Sequence, residues 1–182
     1  MINLLIYINP IDKRFIGEYV DLVRIQIDNS LELGWKPEDI LLVLNFDYEY
    51  RGIKAVKVDD YQVFDQNKST KIPAINQLFK DGVIKEDKVY WFHDLDAFQL
   101  SPIELSLEKD AAFTDHGHFS KTWNAGSFFF KKSAEDIFLS IWEYMGLLKS
   151  NDPAIAPSVA PRAQSFLSSI APIPAVAIVD KM

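Results

Sequence analysis

A continuous apolar run, residues 4–8, and a second strand-like segment, residues 40–46, apolar except for Asn45, stand on either side of a stretch with helical spacing. A run that is apolar throughout, rather than alternating, suits a strand covered on both faces, as in a parallel sheet. The first run closes on Asn9-Pro10. Between the runs, Phe15, Tyr19, Val20, Val23, Ile27 and Leu31 recur at helical intervals, which predicts a helix over 13–33. Gly34 stands where a helix C-terminal glycine is common, and Pro37 restarts the chain. Strand, helix and strand with short links imply a right-handed crossover, and so an α/β fold.

Further elements follow the same logic. Residues 55–58 and 61–64 read as short strands around Asp59-Asp60. Ser69 or Thr70 is a helix cap for Ile72, Ile75, Leu78 and Phe79, with Pro73 tolerated in the first turn and Asp81-Gly82 at the end. Residues 89–93, 111–114 and 126–130 read as strands. Ser133 with Asp136 resembles a capping box. The helix after it has a stripe of Ile137, Phe138, Ile141, Trp142, Met145 and Leu148. Beyond residue 150 the character changes, with five of the nine Pro, no Gly and four charged residues. The reading is one domain over 1–150 and a Pro/Ala/Ser-rich tail over 151–182 that packs on the domain or extends from it. Within the tail, 164–170 reads as a helical turn, and 172–179 as an edge strand or a wrap around the core.

Composition narrows the function. The chain has 182 residues, with 13 Phe, 7 Tyr and 4 Trp, enough to build a substantial core. Its net charge of −7 argues against a broad nucleic-acid-binding surface. No run nears the ~18 apolar residues of a membrane span, and residues 1–7 lack the basic lead of a signal peptide. With no Cys, thiol catalysis and Cys-based zinc sites are excluded, and a reducing, cytoplasmic setting is expected.

The chemistry centres on Tyr90-Trp91-Phe92-His93-Asp94-Leu95-Asp96. An aromatic strand ending on Asp-x-Asp brings two carboxylates to the carboxyl edge of a sheet, where open α/β sheets bind ligands. If the extended form persists, residues two apart face the same way. Hard oxygen ligands suit Mg²⁺ or Mn²⁺ bridging phosphate oxygens; the alternative is a solvated turn with two surface acids. A second constellation is Thr114-Asp115-His116-Gly117-His118, followed by Trp123-Asn124-Ala125-Gly126-Ser127. His116 or His118 reads as a metal ligand or general base, or as an exposed loop residue. Asn124-Ala125-Gly126 reads as a close backbone approach, or as an ordinary turn entering a strand.

In this order the blocks resemble a GT-A glycosyltransferase of the glycogenin and bacterial galactosyltransferase kind, over roughly residues 2–148. The resemblance implies a Rossmann-like nucleotide-diphospho-sugar transferase fold with a mixed, mostly parallel central sheet flanked by helices. It implies a metal-dependent enzyme that transfers a sugar from a nucleotide-diphosphate sugar, UDP-sugar favoured, to a glycan, lipid or protein acceptor. Carried over, Asp94 and Asp96 match the acids that contact the ribose and the Mn²⁺ (or Mg²⁺) bridging the diphosphate. Tyr7, Ile8 and Asn9 match the lining of the base pocket. Lys71 matches a basic residue approaching the donor, where the bland alternative is a solvated first-turn lysine. Asn124, Ala125 and Gly126 lie near the transferred sugar, with Asp115 beside it. Members are usually longer and carry a late metal-ligating His. None follows His118 here, so His118 or His116 is the substitute the chain offers.

Two rival readings use the same residues. A metal-dependent phosphohydrolase would draw on His93, Asp94, Asp96, Asp115, His116 and His118. A non-catalytic sugar-nucleotide-binding module would account for the short length and the unusual tail. A haloacid-type phosphatase is discounted, because Ala97-Phe98 follows the acids where that chemistry needs Gly-Thr.

Overall fold

The computed structural model describes residues 1–60, 70–103, 105–115, 123–150, 170–173 and 178–180. The chain forms a mixed α/β structure. Strands β1 (Ile2–Ile6), β2 (Ile40–Leu44), β5 (Val56–Lys57), β6 (Tyr90–His93), β8 (Ala111–Asp115), β9 (Trp123–Phe130) and β10 (Ile170–Ile173) make one seven-stranded sheet, in the order β10-β8-β9-β6-β1-β2-β5. Between β2 and β5, the two-residue strands β3 (Glu49–Tyr50) and β4 (Ile53–Lys54) pair as a small hairpin. Within the large sheet only β9 runs against its neighbours; the other pairings are parallel. A mixed, mostly parallel sheet flanked by helices was expected, and the chain has one.

The first crossover forms as predicted, with shifted ends. Helix α1 covers Tyr19–Glu32 rather than starting at Lys13. Lys13 and Gly17 both adopt positive φ, which no right-handed helix accommodates. The Asn9 side chain organises that segment instead, accepting from the Ile11 and Asp12 amides and donating to the Arg14 carbonyl. At the other end the Gly34 amide bonds to the Leu31 carbonyl and the Trp35 amide to that of Ser30. This is a Schellman closure, and the φ of +91° at Gly34 is the left-handed step it requires.

Helix α2 (Lys71–Lys80) closes in the same way at Gly82. Its start differs from expectation: Thr70 is at the N-cap position but has helical dihedrals, and its side chain makes no capping bond. The expected capping box of the last helix is also absent. Ser133 lies in a short 3₁₀ turn and donates to Asp110 Oδ1 at 2.6 Å, and α3 runs over Glu135–Ser150.

Alternation along the central strands divides the core. Tyr90, Phe92, Phe128 and Phe130 pack on one face with Phe79 of α2 and Phe138 of α3. On the other face Leu5, Leu42 and Leu44 pack with Val23 and Ile27 of α1, while Trp91 and Phe129 pack with Leu107 and Ala112. Across the β6–β9 pairing, Tyr90 stacks with Phe130, Trp91 with Phe129 and Phe92 with Phe128, at centroid distances of 5.4, 6.0 and 4.8 Å. Such cross-strand aromatic pairs fix the register of an antiparallel ladder.

The last part of the chain supplies two strands. Backbone at Ile170–Ile173 pairs with β8 at the sheet edge, and β11 (Ile178–Asp180) pairs antiparallel with β7 (Ala97–Gln99), which the sequence reading did not foresee. The edge strand expected over 172–179 is therefore divided between two places. Segments 61–64 and 164–169 lie outside the described residues. No helix among the described residues is long and apolar enough to cross a membrane.

Candidate functional site

Strand order reverses at β1. The crossover through α1 leads from β1 to β2 on one side, and β6 is added on the other. Between the carboxyl ends of β1 and β6 opens a cleft of about 350 Å³ whose lining includes Ile6, Tyr7, Ile8, Phe92, Asp94 and Asp96. This is the topological switch point at which open α/β sheets bind ligands, and the volume is within the range of small-molecule sites.

The extended form does not persist through the two acids. Strand β6 ends at His93, and the Ala97 amide donates to the Asp94 carbonyl at 3.0 Å, closing a tight turn into β7. Leu95 points into the core at 7% exposure, while Asp94 is half-exposed and Asp96 exposed. The acids thus flank a buried leucine, and both still line the cleft.

Buried polar groups hold this turn. Gln26 of α1, 1% exposed, donates from Nε2 to the carbonyls of Leu95 (2.8 Å) and Ala97 (2.7 Å). Gln26 was missed, although a polar residue on the apolar stripe of Val23 and Ile27 was the available signal. Gln26→Leu keeps the volume but strands two carbonyls; we expect a loss of about 2 kcal/mol in urea unfolding, and an unchanged midpoint would remove Gln26 from this role.

His93 also lies beneath the turn rather than in the cleft. Its ring is 1% exposed, with Nε2 3.1 Å from Asn3 Oδ1 and Nδ1 3.1 Å from the Asp94 carbonyl. Burial pulls its pKa down from 6.5 to about 4, against the upward pull of the Asp94 and Ala97 carbonyls. An enclosed imidazole with both ring nitrogens facing protein oxygens is not available to a metal, which takes one residue from the phosphohydrolase reading.

Lys71, the first residue of α2, is not a solvated lysine. Only 13% of its side chain is exposed, and Nζ donates to Asp94 Oδ1 and to the Ala125 carbonyl, each at 2.8 Å. The ammonium also lies 4.7 Å from the centre of the Phe92 ring. The Ala125 carbonyl is within reach because β9 departs from β8 here: the step from Phe113 to Thr114 on β8 spans Phe128 to Asn124 on β9. Bulges of this kind re-aim backbone beside functional sites. On the β6 side, the Asp94 amide donates to the Gly126 carbonyl at 2.7 Å.

The remaining sequence-predicted residues divide as follows. Tyr7 and Ile8 line the cleft, and the Tyr7 hydroxyl accepts from the Ile16 amide, with burial raising its pKa. Asn9 does not line it; its side chain builds the following loop, and its amide and carbonyl bond to Asn45. Ala125 and Gly126 contribute carbonyls rather than lining. Asn124 and Asp115 are placed only by register, opposite Thr114 and Trp123 respectively. His116 and His118 lie outside the described residues. Glu18, Tyr19, Leu22 and Thr70 line the cleft without having been anticipated.

Three acids (Glu18, Asp94, Asp96) and one base (Lys71) line the cleft, so an anionic ligand needs a further cation there. Among the described residues no three His, Asp or Glu side chains cluster to hold a metal by themselves. Two carboxylates nevertheless fit a Mg²⁺ or Mn²⁺ shared with phosphate oxygens, since such ions often take one or two protein carboxylates and complete their shell from substrate and water. No family model, curated protein or solved structure matches the chain.

Proposed function

We propose that the protein is a nucleotide-sugar-dependent glycosyltransferase with a GT-A-like fold, acting on a UDP-sugar or close relative. The observation that carries this reading is the Asp94–Asp96 turn in a switch-point cleft at the carboxyl ends of β1 and β6. Two further features support it. Lys71 has an ammonium beside Asp94, and the N-terminal end of α2, the positive end of a helix dipole, opens at the cleft through Thr70 and Lys71.

In this mechanism Asp94 and Asp96 would hold a divalent cation at the diphosphate end of the donor. That cation would supply Lewis-acid neutralisation of the charge that builds on the leaving diphosphate. Lys71 donates hydrogen bonds to phosphate oxygens. Ile6, Ile8, Leu22 and Tyr19 give the nucleoside an apolar and aromatic wall and keep water from the reacting bond.

The test is a thermal-shift panel of UDP, GDP, CDP and ADP, with and without Mn²⁺. A ligand at ~100 times its Kd adds about 2.7 kcal/mol, or roughly 5–10 °C in Tm for a chain of this size. A Mn²⁺-dependent shift with one nucleotide is expected, and its loss in Asp96→Asn, an exposed position, locates the site. No Mn²⁺-dependent shift with any of the four overturns the reading.

A further inference from the structure

Lys71 and a divalent cation cannot both own Asp94. The ammonium is 2.8 Å from Asp94 Oδ1, is largely enclosed, and is held a second time by the Ala125 carbonyl and a third by the face of Phe92. A metal ion on the same oxygen would replace it. One on the other carboxylate oxygen would lie no more than about 7 Å from the ammonium, given carboxylate–metal distances near 2.1 Å, and would be repelled by it.

We infer that Lys71 is the resident cation of the cleft and keeps the metal out until a diphosphate arrives; this rests on the function proposed above. In the empty cleft the ammonium neutralises Asp94. When a diphosphate enters, its oxygens offer the ammonium new acceptors and screen it from the metal. The flexible lysine stem lets Nζ turn from Asp94 to phosphate while its methylenes stay on Phe92. Metal and nucleotide then bind as a pair, each weakly without the other. The reciprocity of linked binding makes this positive coupling, and Lys71 adds to what the shared phosphate oxygens supply.

The experiment is a titration of the intact chain with Mn²⁺, followed by calorimetry and by the electron paramagnetic resonance of free Mn²⁺, with and without saturating UDP. Lys71→Met keeps the apolar stem and loses the charge; Lys71→Gln, which keeps a donor, serves if the Met variant fails to fold. In the native protein Mn²⁺ affinity should rise about tenfold or more on adding UDP. In the Lys71 variants Mn²⁺ should bind more tightly without UDP, by a similar factor, and UDP should add less than it does in the native protein. Asp94→Asn in the Lys71→Met background should remove that tighter binding. Unchanged Mn²⁺ affinity in both Lys71 variants, with UDP-dependent Mn²⁺ binding intact in the native protein, overturns this inference and leaves the proposed function standing. No Mn²⁺ binding to any form, even with UDP, overturns both.

Discussion

Phe138→Ala is expected to lower stability by about 3–5 kcal/mol, the cost of emptying a large aromatic site in a packed core. The Phe138 ring is fully enclosed and lies 4.8 Å from Phe130, 5.7 Å from Phe128 and 5.8 Å from Phe79, centroid to centroid. It is the point where α3 meets both α2 and the β6–β9 ladder. Its own carbonyl accepts from Asn76 Nδ2 of α2, so the backbone is pinned and cannot easily collapse into the space. The corresponding loss in Tm is roughly 6–20 °C. Leu139→Ala, one residue on and 45% exposed, is the control, with an effect within about 0.5 kcal/mol. Urea unfolding of the two variants measures this as a shift in midpoint at constant slope. Equal effects from both would mean that the phenylalanine cluster is not the core.

Acid sensitivity at His93 should be nearly as large. Its folded pKa of about 4 lies below the ordinary 6.5 because burial disfavours the charged ring. Between those values the unfolded chain takes up a proton that the folded chain does not, so stability falls as pH falls from about 6.5 to 4 and is flat in this respect below 4. The drop amounts to about 3 kcal/mol. His93→Asn cannot titrate, so the stability difference between native and variant should narrow progressively across that window. Chemical denaturation at intervals from pH 7.5 to pH 4 reads it directly. A difference that stays constant would mean that the folded and unfolded pKa of His93 are the same, and one that widens as pH falls from 7.5 to 6.5 would mean that the ring is already charged, with both nitrogens donating to the oxygens that face them.

Much of the fold was readable because the central strands are apolar on both faces and have few alternative uses. Runs around Leu4, Leu42 and Trp91 can only be buried, and the glycines at 34 and 82 close helices as their positions suggest. Boundaries failed where local side chains outcompeted helix. Asn9 draws the amides of Ile11 and Asp12 to itself, and helix α1 cannot begin until that loop is complete. Strand β7 is three residues long, too short for alternation to announce it. At the site, the acids were found from their place after an aromatic strand, but their geometry was not. The turn depends on Gln26, whose sequence separation from Ala97 is 71 residues, and no local pattern links the two. Lys71 was recognised as a basic residue near the cleft, while its ion pair with Asp94 became apparent only through the bulge that brings the Ala125 carbonyl beside it.

The pairing of β11 with β7 bears on the order in which the molecule matures during synthesis. Asp180 is opposite Ala97, the residue that closes the Asp94–Asp96 turn, so the second wall of that turn is translated well after the turn itself. Ribosomes add roughly 5–20 residues per second, and through the interval between the two a nascent chain has Gln26 to brace the turn but no β11. Strand β8 likewise has an unpaired edge until Ile170–Ile173 emerges, an open template for neighbouring strands. A nascent chain therefore passes through a stage in which Gln26 braces the turn while β7 and β8 still lack these partners, and the pairing of two distant strands, rather than collapse of the core, completes the walls of the site.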